Sequence, residues 1–443
     1  MNNQDAIRDA RELGTPKMLV LGLQHMFAMF GATVLVPTLT GLSVSATLLF
    51  AGLATLFCHL VTKKKIPVFL GSSFAFLGGY FAIAPNGEPE LLPYACFGVA
   101  CAGLLYAILA ILCKTYGSRR VVRFFPPVVT GPIIIAIGLC LSASAIQNYT
   151  QNWFIALVAI VVVIVCNLWG KGMIKIIPIL IGVVASYLVA AVTGNVDFTG
   201  VREAAWIGFP VKYENTVFSL FTSGNLNTNL LLTAAVTIIP ISFATMMEHV
   251  GDISAIGSTV GQNFIEDPGL HRTLIGDGVG TAIAALFGAP ANTTYGENTG
   301  VLALTKVFDP RVIRLAAVYA IVISFCPKFS ELIHAMPAAT IGGVSLILYG
   351  MISAIGVRNV VENKVDFSNT RNIIIAALIL VLSIGINYGL DGGAIQIQAG
   401  SATIGLTGLA VASFVGIVLN AVLPGRDEGF TEQLKDAGSL GKY

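Results

Sequence analysis

In the segment IIPISFATMMEHVGDIS, Ser242, Thr245, Glu248 (or its neighbour His249) and Asp252 recur at helical spacing. Residues three and four apart share a helix face, so this polar stripe carries two carboxyl groups, Glu248 and Asp252, one turn apart. Two like charges in an apolar setting cannot both persist cheaply. A carboxyl group whose proton can come and go is what proton coupling needs. A further carboxylate, Glu297, stands in NTTYGENTG, Asn292 to Gly300, among hydroxyls, amides and glycines. Asp277 in LIGDGVGT is divided between site support and plain packing. GDGVG there is not a dinucleotide fingerprint, since it follows no soluble-type strand. His25 in LQHMFAMFGA reaches the same site if the first span mirrors the one carrying Glu248, whereas His59 and His334 read as packing or interfacial residues.

These carboxylates are costly in their surroundings. Of 443 residues, 55% are hydrophobic and 11% charged, against about 25% charged in an average soluble domain. Mean hydropathy is +0.83. The chain reads as a polytopic membrane protein. A net charge of +2, with basic residues scattered between apolar runs, excludes a nucleic-acid partner and leaves lipid and something small. The seven cysteines form no CxxC pair or metal-spaced cluster and read as small packing residues. The N-terminal MNNQDAIRDARELGTPK lacks the basic start and short apolar core of a cleaved signal.

A spanning helix needs about 20 mostly apolar residues. That rule places seven spans near 18–37, 44–62, 66–84, 93–113, 126–146, 153–170 and 173–194. Seven more lie near 229–250, 273–290, 293–308, 311–327, 334–354, 371–388 and 401–423. Lys and Arg collect in cytoplasmic loops. With the N-terminus inside, Lys63 to Lys65, Lys114, Arg119, Arg120, Arg123, Lys171, Lys175, Arg272, Lys306, Arg311, Arg314, Arg358, Lys364 and Arg371 all fall inside. Only Arg202, Lys212 and Lys328 fall outside. The expected organisation is therefore a cytoplasmic tail 1–17, a first unit 18–194, an external loop 195–228, a second unit 229–423 and a cytoplasmic tail 424–443.

The two units resemble each other weakly. LQHMFAMFGA (23–32) faces MEHVGDISAI (247–256), FLGSSFAFLG (69–78) faces ANTTYGENTG (291–300), and PPVVTGPIIIAIG (126–138) faces MPAATIGGVSLIL (336–348). Seven is odd, so the second copy is inverted. Inverted repeats point to a secondary transporter with its substrate near the midplane. The third and tenth spans, interrupted by Pro67 and Gly71 and by Pro290 and Gly296, read as a short extended stretch followed by a half-helix. Such backbone is tolerated at depth only inside protein or beside a wet cavity. The N–H groups freed at each half-helix start, with the positive dipole end behind them, suit a ligand bearing carbonyl oxygens. At Gly296, where the backbone meets ligand, a positive φ is expected.

GENTGVLALTK (296–306) resembles the signature of the nucleobase–ascorbate transporter family, with Glu297, Asn298, Gly300, Thr305 and Lys306 in its places. LQHMFAMFGATVLVP, IPVFLGSSFAF, DPGLHR, NTTYGEN and GGVSLILYG extend the likeness over essentially the whole chain, closest to members that carry uracil with protons. The resemblance implies an all-α polytopic membrane protein of fourteen spans in two inverted sevens, with short antiparallel strands in spans three and ten. It also implies core and gate domains in a cell membrane, no cofactor beyond the coupling proton, and a homodimer. By motif, Glu248 and Glu297 would bind the uracil ring, with backbone at Phe74 and Gly296, ring contact from Phe74 and Tyr295, and Ser345 and Tyr349 from a neighbouring helix. Proton coupling falls to Glu248, Asp252, Asp277 and His25. This chain has EHVGD where the uracil carriers have EHVGH, and Asp277 where they have Asn, so a relay through a second histidine passes here to Asp252 or Asp277.

Glu at position 297 favours a pyrimidine, because purine-directed relatives more often place Gln there. A xanthine or urate carrier of the same family is the nearest alternative. An anion exchanger on the same fold would favour a cation or helix dipoles over two acidic residues. A base-modifying membrane enzyme would need a deaminase pattern, nucleophile elbow or metal cluster, and none occurs.

Overall fold

The computed structural model describes residues 6–117, 120–121, 125–222, 226–399 and 402–425. Long apolar runs become helices whose ends are set by capping residues and by Gly and Pro. Helix α1 (Thr15–Thr40) stops at Gly41, which takes φ 82°. Ser43 then caps α2 (Val44–Val61) by accepting from the Ala46 N–H. Strand β1 (Leu70–Ser72) and the seven-residue α3 (Leu77–Ile83) follow in place of a continuous third span. Next come α4 (Leu92–Tyr116), α5 (Pro127–Tyr149), α6 (Trp153–Trp169) and α7 (Pro178–Val192).

The second unit opens with α8 (Thr228–Ile238) and α9 (Ile241–Val260), separated at Pro240. Helix α10 (Leu270–Leu286), strand β2 (Asn292–Thr294) and α11 (Gly296–Thr305) repeat the pattern of α2, β1 and α3. Helices α12 (Pro310–Ser324) and α13 (Pro327–His334) meet at an 88° bend. The chain closes with α14 (Ala338–Glu362), α15 (Thr370–Gly389), strands β3 (Ala394–Ala399) and β4 (Ala402–Thr407), and α16 (Gly408–Val422).

Among the described residues, seven helices are long and apolar enough to cross a membrane, or eight with the bent pair as one; α6, α7 and α16 are shorter apolar helices. The helices pack as two bundles. One joins α1, α2, α4, α8, α10 and α12; the other joins α5, α6, α7, α14, α15 and α16. Both broken segments belong to the first bundle, with β1 against α1 and α2, and β2 against α9 and α10.

Three features depart from the expected organisation. The eighth span runs on to Val260, not 250. The fourteenth is preceded by an antiparallel hairpin, Ala394 opposite Thr407 through Ala399 opposite Ala402, so its helix starts at Gly408. The N-terminal segment also docks: Ile7 pairs in parallel with Val307, its N–H donating to Lys306 O at 2.9 Å and its carbonyl accepting from Phe308 N–H at 2.8 Å. Ala10 N–H donates to Asp309 at 2.7 Å, and Asp9 pairs with Arg311 at 2.7 Å. Hydrogen bonds from Arg11 hold the half-buried Asp9 carboxyl well below the usual carboxylate range. Of the basic loop residues, Arg119 and Arg123 lie outside the described residues, as does most of the C-terminal tail.

Candidate functional site

Strands β1 and β2 pair antiparallel at the centre of the first bundle, with Leu70 opposite Thr294, Gly71 opposite Thr293 and Ser72 opposite Asn292. The ladder is lengthened by Ser73 N–H to Ala291 O at 2.8 Å and Tyr295 N–H to Phe69 O at 3.0 Å. An isolated two-stranded ribbon leaves its outer edges unpaired. One threonine hydroxyl closes each edge. Thr55 of α2 accepts from Leu70 N–H at 2.9 Å and donates to Leu70 O at 3.3 Å. Thr281 of α10 accepts from Asn292 N–H and donates to Asn292 O, both at 3.1 Å.

Each strand leads into a helix start. The N–H groups of Phe74, Ala75 and Phe76, between β1 and α3, have no protein partner among the described residues. No side chain caps the first turn of α11. Two sets of free donors with positive dipole ends therefore lie on either side of the ribbon. Gly296 opens α11 without the positive φ expected of it. A Cβ there would meet only Ile355 Cδ1 of α14, at 3.9 Å. Gly71 is the tighter position, where a Cβ would come within 2.6 Å of the Tyr295 ring and 2.8 Å of Thr33 Oγ1.

Glu248, Asp252 and Glu297 are half-buried. Asp252 is within coulombic reach of Glu248, Glu297 and Asp277. Asp277 is fully buried with Oδ2 2.9 Å from His249 Nδ1, outside the line of the ring N–H. Threonines flank the same imidazole, Thr273 at 2.9 Å from Nε2 and Thr294 at 3.2 Å from Nδ1. Tyr106 lies edge-on to it and donates to Thr245 at 2.6 Å. His249 thereby connects α9, α10 and β2.

His25, also buried, is held by Asn298, whose amide lies 3.2 Å from Nδ1 and donates to the His25 carbonyl at 3.1 Å. The signature asparagine thus docks α11 onto α1. Tyr295 is buried with its ring across Gly71, and its hydroxyl donates to Ser72 O at 2.9 Å. Phe74 meets Tyr349 of α14 edge-on at 5.7 Å between centroids. Tyr349 Oη faces Ser345 and Ser144 without a well-formed hydrogen bond to either. Beside Phe74 lies a cavity of about 200 Å³ reaching Ser144 of α5 and Tyr388 of α15. His59 is a packing residue, its Nε2 2.7 Å from Val68 O.

Buried polar atoms are normally paired. Twelve side-chain atoms among the described residues are not, and all but His59 Nδ1 and Arg314 Nη1 belong to the ribbon, its half-helices or the side chains around them. These ten include Glu248 Oε2, both Asp277 oxygens, Ser73 Oγ, Asn298 Oδ1, Ser345 Oγ and Tyr349 Oη. Such unmet hydrogen-bonding capacity marks where a polar ligand belongs. The roles of Thr55, Thr281 and His249 were not assigned from sequence.

The profile of the Permease family matches residues 16–392. The chain belongs to this family, the one its GENTGVLALTK signature resembles. Among the relatives of this permease chain, the uracil permease of Bacillus caldolyticus is 40% identical over 95% of each chain, and that of Bacillus subtilis (strain 168) 39% over 94% of each. The uracil permease of Escherichia coli (strain K12) is 36% identical over 91% of this chain and 90% of its own. Two solved structures share the fold at low identity. The transmembrane domain of the cyanobacterium bicarbonate transporter BicA superposes with TM-score 0.58 and 15% identity, covering 94% of this chain and 99% of that one. SLC26A9 gives 0.62 and 12%, covering 91% and 64%.

Proposed function

We propose that this permease imports uracil by proton symport with alternating access. The observation that carries the reading is the set of unpaired polar groups around the β1–β2 ribbon, carboxylates beside free backbone N–H groups. Uracil is their complement, with two N–H donors for Glu248 and Glu297 and two carbonyls for the N–H groups at Phe74 and Gly296. Phe74 and Tyr295 supply ring surface; the Tyr295 hydroxyl is already committed to Ser72. Ser345 and Tyr349 line the opposing bundle.

Glu248 carries the coupling proton, supported by Asp252, Asp277 and His25, with His249 close beside Asp277. A fourteen-span plan of two inverted sevens, both ends cytoplasmic, is supported by the matched positions of His25 and His249, of Thr55 and Thr281, and of β1 and β2. The bundle carrying the ribbon is the core, and the other is the gate against which it moves. The family resemblance supports a homodimer in the cell membrane. Uptake of labelled uracil into proteoliposomes, challenged by unlabelled uracil or xanthine, tests the substrate. Unlabelled uracil should abolish the signal and xanthine leave most of it; the reverse ranking would make this a purine carrier.

A further inference from the structure

Outside the ribbon site, and one helix turn short of the Thr273 that meets His249, a wide-mouthed cavity of about 670 Å³ lies between the end of α4 and the turn leading into α10. Its wall includes Lys114, Thr115, Tyr116, Arg120, Glu266 and His271. Lys114 and Arg272 both act on His271 through their charge, and Arg272 is fixed beside it by donating to Val61 O at 3.0 Å. Among the described residues of that wall Glu266 is the one acid, against Lys114 and Arg120. A concave, cationic surface of this kind attracts an anion.

The surface above it says which anion. Leu104, Ile108, Ile111, Leu112 and Tyr116 recur along one face of α4 and are 59%, 55%, 60%, 39% and 62% exposed. In a membrane-spanning helix, such a stripe faces acyl chains, and a tyrosine at its end marks the headgroup level. The stripe ends at the cavity. We infer that the cavity seats the phosphate of an anionic phospholipid whose chains lie along α4, with Lys114 and Arg120 as its cationic partners and His271 as a partner that takes up a proton on binding. Basic pockets at the cytoplasmic side of membrane helices hold lipid headgroups by this chemistry.

Two measurements test the site. In native mass spectrometry of protein taken from phosphatidylglycerol-containing bilayers, the last anionic lipid retained should be lost in the double variant Lys114→Gln, Arg120→Gln. Retention equal to the unmodified protein overturns the assignment. In the unmodified protein, histidine NMR should show the His271 titration midpoint rising on transfer from phosphatidylcholine to phosphatidylglycerol bilayers. A general surface potential of about −30 mV raises any interfacial group by about half a unit, and His334, at the opposite end, reports that background. His271 should exceed it by about one unit, as an opposite charge at contact distance gives. Equal shifts at His271 and His334 would leave no bound lipid. An equal rise with inorganic phosphate in phosphatidylcholine would make this a free-phosphate site and overturn the lipid assignment.

Discussion

Glu297→Gln exchanges a carboxylate acceptor for a group that both donates and accepts, so one uracil N–H or one amide proton is left mispaired. A mispaired buried polar group costs about 1–3 kcal/mol, and calorimetry should show uracil affinity falling by roughly ten- to a hundredfold in a variant that still inserts. Unchanged affinity would remove Glu297 from the site. Glu248→Gln imitates a permanently protonated carboxyl and should keep some binding while losing accumulation against a gradient. Normal accumulation in labelled-uracil uptake would move the coupling proton to Asp252 or Asp277. Both glutamates were legible in the sequence because a charge in an apolar segment is expensive enough to require a reason. Thr55 and Thr281 were not. A threonine in an apolar helix commonly bonds its own preceding turn, and nothing in its spacing tells that case from a hydroxyl that closes a strand edge. Tyr295 was visible as an aromatic on a broken segment, but its anchoring to Ser72 depends on the ribbon's register.

The ribbon is the element on which the site depends, and its two critical glycines should fail differently. Gly71→Ala places a methyl within 2.6 Å of the Tyr295 ring; overpacking of this kind typically costs about 1–3 kcal/mol, and both thermal stability and transport should fall. Gly296→Ala has open space and should leave thermal stability unchanged while weakening uracil binding, because its methyl occupies the ligand's approach. Equal losses of stability in the two variants would contradict this placement of ribbon and ligand. Thr281→Val strips Asn292 of partners on both its N–H and its carbonyl, whereas Thr281→Ser keeps the hydroxyl. Thermal unfolding should rank the serine variant near the unmodified protein and the valine variant well below it. The breaks themselves could be read from Pro67, Gly71, Pro290 and Gly296, since Pro and Gly disfavour a continuous helix. The β3–β4 hairpin was missed because SATIGLT (401–407) is apolar enough to pass as the start of a span, although the alternation in AIQIQ just before it is the signal of a strand. The docking of residues 7–10 was hidden for the opposite reason: a short charged terminus carries no periodicity from which a partner can be inferred.

At the scale of the whole molecule, the two bundles give the account its mechanical content. The ribbon, the half-helices, Asp277 and Glu297 lie in one bundle, Glu248 and Asp252 sit on α9, which packs against both, and Ser345 and Tyr349 approach from the other. Sliding one against the other would expose the carboxylates to each side in turn and make proton and uracil travel together. The bundle division follows from packing and could not be drawn from hydropathy, because hydropathy is read along the chain and each bundle draws helices from both halves of it. The most direct test is labelled-uracil uptake into proteoliposomes under an imposed pH gradient of either sign. One pH unit is worth about 1.4 kcal/mol per proton, so with one proton per uracil an acidic exterior should drive about tenfold accumulation. An alkaline exterior should hold internal uracil below the external level. Equal uptake under both gradients, levelling at simple equilibration, would contradict proton-coupled import.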